Sequence, residues 1–289
     1  MTRRDILTAI PTAFAADGSL DADGTRAIFQ YVAQSGNEGA FVLGTTGEFP
    51  SINEDEFRTV VELALAELSP VTSVVVHVGA PSAYQAVRLV NIAREAGATR
   101  YAALTPYYMA SSDDAIFAYF EQVAAAVGDG DLFVYNYPKR SGNHVSPELM
   151  ARLATIPAVV GAKVSELTLD DIRAYRAATP ADFIIYTGAD RDLIAAGEAG
   201  AQGVVSGVSS VVPKPFRALI AAAESGDAEQ IAAAQADVDD VVATIGGDMP
   251  RMKAAYRAMG ITDSTCRMAL DEPTDAALAQ IDRIVATYV

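Results

Sequence analysis

The chain has no tryptophan, a single cysteine, two histidines and only four lysines among its 289 residues. Each scarcity closes off a class of chemistry. One cysteine, Cys266, cannot form an internal disulfide, which fits a reducing compartment, and it reads as a buried structural thiol. With His77, His144 and that cysteine alone, no cluster of zinc-ligand spacing exists. No metal is therefore expected, although a carboxylate site for magnesium stays open. Basic residues are outnumbered, 21 against 37 acidic ones, for a net charge of −16. An acidic surface repels nucleic acid and anionic membrane, so neither is an expected partner. No segment approaches the roughly 18–20 apolar residues that span a bilayer. The start, "MTRRDILTAIPTAFAADGSL", carries two arginines and an apolar run, as a signal peptide does, but Pro11 and Asp17 interrupt it. It reads as a first strand of a cytoplasmic protein.

What is present is a rhythm. Short apolar runs occur at 6–14, 39–44, 72–79, 101–106, 131–138, 159–165, 183–189 and 203–207. Between them lie Ala-rich amphipathic stretches such as "DEFRTVVELALAEL" and "SAYQAVRLVNIAREAG". Asn53, Ser82, Ser112 and Ser146, the last followed by Pro147, stand where helix N-caps belong. Glycines in "AQSGNEGA", "REAGA" and "GEAGA" stand where helices end. Eight strand–helix units predict an α/β fold, a closed (β/α)8 TIM barrel. A doubly wound open sheet is the rival, but no G-x-G-x-x-G follows the first strand. Beyond residue 224 only helical patterns remain, which predicts a barrel with the active site over 1–224 and a C-terminal helical extension over 225–289.

In such barrels, chemistry sits at the C-terminal ends of strands. That rule selects Thr45, Thr46 and Glu48, then His77, Tyr107 and Tyr108, Tyr135, Asn136 and Arg140, Lys163 and Ser165, and Gly188 to Asp190. Lys163 stands out because "AVVGAKVSE" (158–166) is otherwise almost wholly small or apolar. The other three lysines, Lys139, Lys214 and Lys253, sit among Pro, Arg and polar residues, as surface lysines do. A strand lysine in a parallel barrel is desolvated, which favours the uncharged amine, a nucleophile towards ketones. The competing reading is a lysine paired with a buried carboxylate for structural reasons. Tyr135 alone reads as core filler, but beside an imine-forming lysine it becomes a proton donor and acceptor. Arg140 could clamp a carboxylate, and "GTTGE" (44–48) could cradle an anion or be no more than a tight turn. His77 reads as a satisfied core or rim histidine.

"GTTGE", "TPYY", "YNYP" followed by "RSG", and "GAKVS", in this order, make the chain resemble the dihydrodipicolinate synthase and N-acetylneuraminate lyase family over essentially its whole length. The resemblance implies a homotetrameric barrel that forms a Schiff base with pyruvate or a cleavable 2-keto acid and needs no other cofactor. It implies that Lys163 is the Schiff-base residue and Tyr135 the acid/base. Thr45 and Tyr108, the latter from a neighbouring subunit, would relay protons. Thr46 would hold the keto-acid carboxylate, Arg140 the second substrate, and Ser165, Gly188 and Val205 would line the pocket. "GTTGE" and Arg140 lean towards the synthases, which join pyruvate to aspartate semialdehyde. Val164 and Ser165 after the lysine, in place of Glu-Ala, and "HVGA" (77–80) lean towards an aldolase for 2-keto-3-deoxy sugar acids. Phe49, Pro50, Glu54, Phe57 and Pro81 replace the polar and histidine residues of the usual lysine-feedback pocket, so no inhibition by lysine is expected. A non-catalytic keto-acid sensor is the rival of another class, but a pure binder needs no proton relay.

Overall fold

The computed structural model describes residues 4–289; the first three residues of the stretch weighed as a leader lie outside it. Eight strands occupy β1 (Asp5–Ala9), β2 (Gly39–Val42), β3 (Ser73–His77), β4 (Arg100–Leu104), β5 (Asp131–Asn136), β6 (Val159–Val164), β7 (Ile184–Thr187) and β8 (Gly203–Ser206). They form one closed parallel sheet in sequential order, the expected (β/α)8 barrel. The strands are buried along nearly their whole length, which is why they read as apolar runs rather than as alternating ones.

Every strand stops short of the end of its apolar run, and in β1 and β5 a proline accounts for it. β1 ends at Ala9 rather than at residue 14. Pro11 has no N–H to give the sheet, and Phe14 instead makes an isolated antiparallel bridge to Leu20. β5 ends at Asn136 because Pro138 begins the short helix Pro138–Ser141.

The chain forms two compact units. One holds Val75–Val205 with the segment ending at Asp5. Within it the helices Ala83–Glu95, Asp113–Val127 and Pro147–Leu153 are capped by Ser82, Ser112 and Ser146, each hydroxyl accepting a backbone N–H one turn on. Gly97, at φ 102°, closes the first of these, where a β-branched or bulky residue would be strained. The other unit holds Ile6–Val74 and Ser206–Val289. Its helix Glu54–Leu68 opens with a full capping box, Asn53 accepting from the Glu56 N–H and Glu56 reaching back to the Asn53 N–H. After Ser206 every described element is helical, the longest being Pro213–Ser225, Ala228–Thr244, Met249–Ala258 and Asp275–Tyr288. Met259–Thr274 separates the last two without regular structure.

Candidate active site

Within the first unit, β5 and β6 run in parallel register with Tyr135 opposite Lys163, and β7 places Tyr186 on the other side of the lysine. Lys163 is 7% exposed and Tyr135 1%. The Lys163 Nζ lies 4.0 Å from the centroid of the Tyr135 ring, so the two residues singled out from separate strands do meet. The ring of Tyr135 is bounded further by His77, edge-on at 5.9 Å, and by Tyr137, tilted at 6.1 Å. His77 accepts a hydrogen bond at Nε2 from the Leu104 N–H, 3.3 Å away. It is fully buried, in keeping with a histidine that supports the core.

Ser165, next beyond the lysine strand, is buried and donates its backbone N–H to Asn136 O. Gly188 leaves space for its hydroxyl: a Cβ on Gly188 would lie 2.7 Å from Ser165 Oγ. Val205 is buried in β8. Arg140 is exposed, with its guanidinium carbon 5.9 Å from the Tyr137 ring centroid. Tyr108 is 92% exposed and holds a left-handed backbone at φ 78°. Its loop is tied down by Asn143, whose amide donates to Pro106 O and Met109 O and accepts from the Ser111 N–H.

A charged cluster beside this group was missed from sequence. Glu166, at φ 57°, accepts the Tyr137 hydroxyl at 2.7 Å and pairs with Lys139 Nζ at 2.5 Å. Lys139, then Tyr137, hold the Glu166 carboxyl below its usual range. Burial, reinforced by Glu166, pushes the Tyr137 phenol up to about 12, and Tyr137 in turn raises the Arg140 guanidinium. The rule that found Ser165 applies equally to Glu166. Lys139 was passed over because its neighbours are Pro and Arg.

In the second unit, Thr45 and Thr46 are half-buried in a turn closed by hydrogen bonds from the N–H groups of Gly47 to Gly44 O and of Glu48 to Thr45 O. Lys253 corrects the reading of the lysines. It is not on the surface but 0% exposed, paired with an equally buried Glu48 at 2.5 Å. Cys266 is half-buried, and burial pushes its thiol up to about 12, so it is a protonated, unreactive thiol at neutral pH.

A barrel lyase with a strand lysine beside a strand tyrosine is the class this architecture defines. The sequence matches the Dihydrodipicolinate synthetase family over residues 2–287, and the chain belongs to that family. It is 32% identical to a 4-hydroxy-tetrahydrodipicolinate synthase of Dechloromonas aromatica over 76% of this chain and 75% of that one. It is 34% identical to a DapA-like lyase of Halobacterium salinarum over 94% of this chain and 91% of the relative. Among solved structures it is similar to dihydrodipicolinate synthase from Thermotoga maritima, with a TM-score of 0.89 and 29% identity over 99% and 98% of the two chains. The chain is thus a lyase of the class that uses a lysine Schiff base. No described helix is long and apolar enough to cross a membrane, and no described cluster of three metal-binding side chains occurs.

Proposed function

We propose that the enzyme makes or breaks a carbon–carbon bond next to pyruvate through a Schiff base on Lys163, without a metal or other cofactor, in the cytoplasm. The observation that carries this is the Lys163 amine lying 4.0 Å over the ring of its register neighbour Tyr135. In its uncharged form the amine adds to the keto carbon of pyruvate to give a carbinolamine. The Tyr135 hydroxyl supplies the proton with which water leaves, and loss of a methyl proton then gives the enamine. The enamine carbon attacks an aldehyde, whose oxygen takes up a proton, and water releases the 4-hydroxy-2-keto acid. The reverse sequence cleaves such an acid to pyruvate. By family resemblance Thr45 and Tyr108 relay protons, Tyr108 from a neighbouring copy in a homotetramer, and Thr46 holds the keto-acid carboxylate.

A 2-keto-3-deoxy sugar acid is the favoured substrate. Ser165 offers a hydroxyl, and the neighbouring Glu166 a carboxylate that accepts from hydroxyl groups, as it already does from Tyr137. The second reading, a 4-hydroxy-tetrahydrodipicolinate synthase, is favoured by Arg140 in the short helix that follows β5 and by the names of relatives such as that of Dechloromonas aromatica.

Borohydride reduction in the presence of pyruvate, followed by peptide mass spectrometry, tests the chemistry. A reduced adduct on the Lys163 peptide is expected, and an adduct elsewhere or none would overturn the proposal. Cleavage of 2-keto-3-deoxy sugar acids, assayed beside condensation of pyruvate with aspartate semialdehyde, separates the two substrates.

A further inference from the structure

The turn Gly44–Gly47 is bracketed by two residues in the left-handed region, Leu43 at φ 58° and Glu48 at φ 56°. Such backbone persists only where the surroundings over-determine it, and it concentrates at functional sites. Here the over-determination comes from the Glu48 side chain. Its Oε1 takes a hydrogen bond from Lys253 Nζ at 2.5 Å, and its Oε2 takes two, from the N–H groups of Arg267 at 2.8 Å and Met268 at 2.7 Å. Lys253 is equally committed. Besides Glu48 it donates to Thr265 O at 2.8 Å, and it faces the Phe14 ring with Nζ 4.6 Å from the centroid.

The anchor itself is rigid. Arg267 grips Glu56 through two nitrogens at 2.6 and 2.7 Å and donates to Ser51 O and Gly18 O, while its guanidinium carbon lies 4.1 Å from the centroid of the Phe14 ring. Residues 265–268 are thus fixed to the helix Glu54–Leu68 and to the loop after β1, and Glu48 fixes the turn to residues 265–268.

A buried ion pair is a poor device for stability alone, because well-packed apolar residues often serve as well. Burial pulls the Lys253 ammonium below its usual range and Glu48 opposes that shift, so the pair holds together only as a unit. We propose that Glu48 and Lys253 are positioning residues that set the Thr45–Thr46 turn for a substrate carboxylate and thereby control affinity for the keto acid. The inference rests on the proposed role of that turn in holding pyruvate.

Glu48→Gln keeps the volume but replaces one acceptor oxygen by a donor. Its pyruvate KM is expected to rise about tenfold with kcat little changed, the signature of lost binding rather than lost chemistry. Borohydride should still trap the Lys163 adduct at saturating pyruvate. Lys253→Met should raise the same KM. The double variant Glu48→Gln/Lys253→Met, with both charges gone, should recover melting temperature but not affinity, whereas a purely structural pair would recover both. Should Glu48→Gln fail to fold, Glu56→Gln loosens the Arg267 grip and is expected to give a smaller rise in KM. Unchanged pyruvate KM in every folded variant, with the wild-type adduct on Lys163 present, overturns this inference alone. A wild-type enzyme that traps no pyruvate on Lys163 removes the functional reading and this inference with it.

Discussion

Lys163 and Tyr135 owe their meeting to register: in a parallel pair of strands, residues opposite one another point to the same side, and β5 and β6 align these two. Lys163→Arg keeps a long basic side chain but cannot condense with a ketone. It is expected to abolish turnover and borohydride trapping while leaving the melting temperature nearly unchanged. Tyr135→Phe keeps the ring that Lys163 lies over and removes only the hydroxyl, so kcat should fall by roughly 10²–10⁴-fold, the usual worth of an acid/base group. Glu166→Gln tests the charged cluster. Loss of the Lys139 pair and a weaker hold on Tyr137 should raise KM for the second substrate by about tenfold. Pyruvate trapping should not change. A parallel loss in both would assign Glu166 to the folding of the β6 terminus instead.

At the scale of elements, the segment 265–268 and the helix Glu54–Leu68 meet in the Arg267–Glu56 pair. The Arg267 guanidinium holds the Glu56 carboxyl below its ordinary value of 4.5. Between that lowered value and 4.5 the unfolded chain binds more protons than the folded one, so stability is full above 4.5 and falls as pH drops through the lowered value. Glu56→Gln should flatten this acid slope and cost on the order of 2 kcal/mol at neutral pH. Urea denaturation followed from pH 3 to 7 measures both (about the range over which carboxylates titrate). Elements were the most legible part of the sequence. Eight apolar runs gave eight strands because both faces of each strand are buried, and capping side chains marked the helix starts. The strand ends were placed too late throughout, in β1 and β5 because Pro11 and Pro138 override hydrophobicity. Contacts between elements were another matter. Lys163 and Tyr135 could be joined through a rule of the fold and a family resemblance. Lys253 could not, because "RMKAAY" says nothing about a carboxylate 205 residues away. The alternative weighed for Lys163, a lysine buried against a carboxylate, does describe Lys253.

For the whole molecule, the few lysines divide evenly. Lys139 and Lys214 are exposed, and Lys163 and Lys253 are buried. Brief treatment with an amine-reactive ester should therefore modify the first two and spare the others, while pyruvate with borohydride should mark Lys163 alone. Ready acylation of Lys253 would contradict its burial. The net charge of −16 bears on partners rather than on the candidate site, where Glu166 stands with the basic Lys139 and Arg140.

The span between Glu48 and its cation also has a consequence for synthesis. Strands β5 and β6, with Lys163, are made before Lys253 and residues 265–268 are translated. A nascent or prematurely terminated chain thus carries Lys163 before the Glu48 carboxylate has its cation. On the proposed roles of Glu48 and Lys253, synthesis of residues 253–268, rather than completion of β8, is what sets affinity for the keto acid.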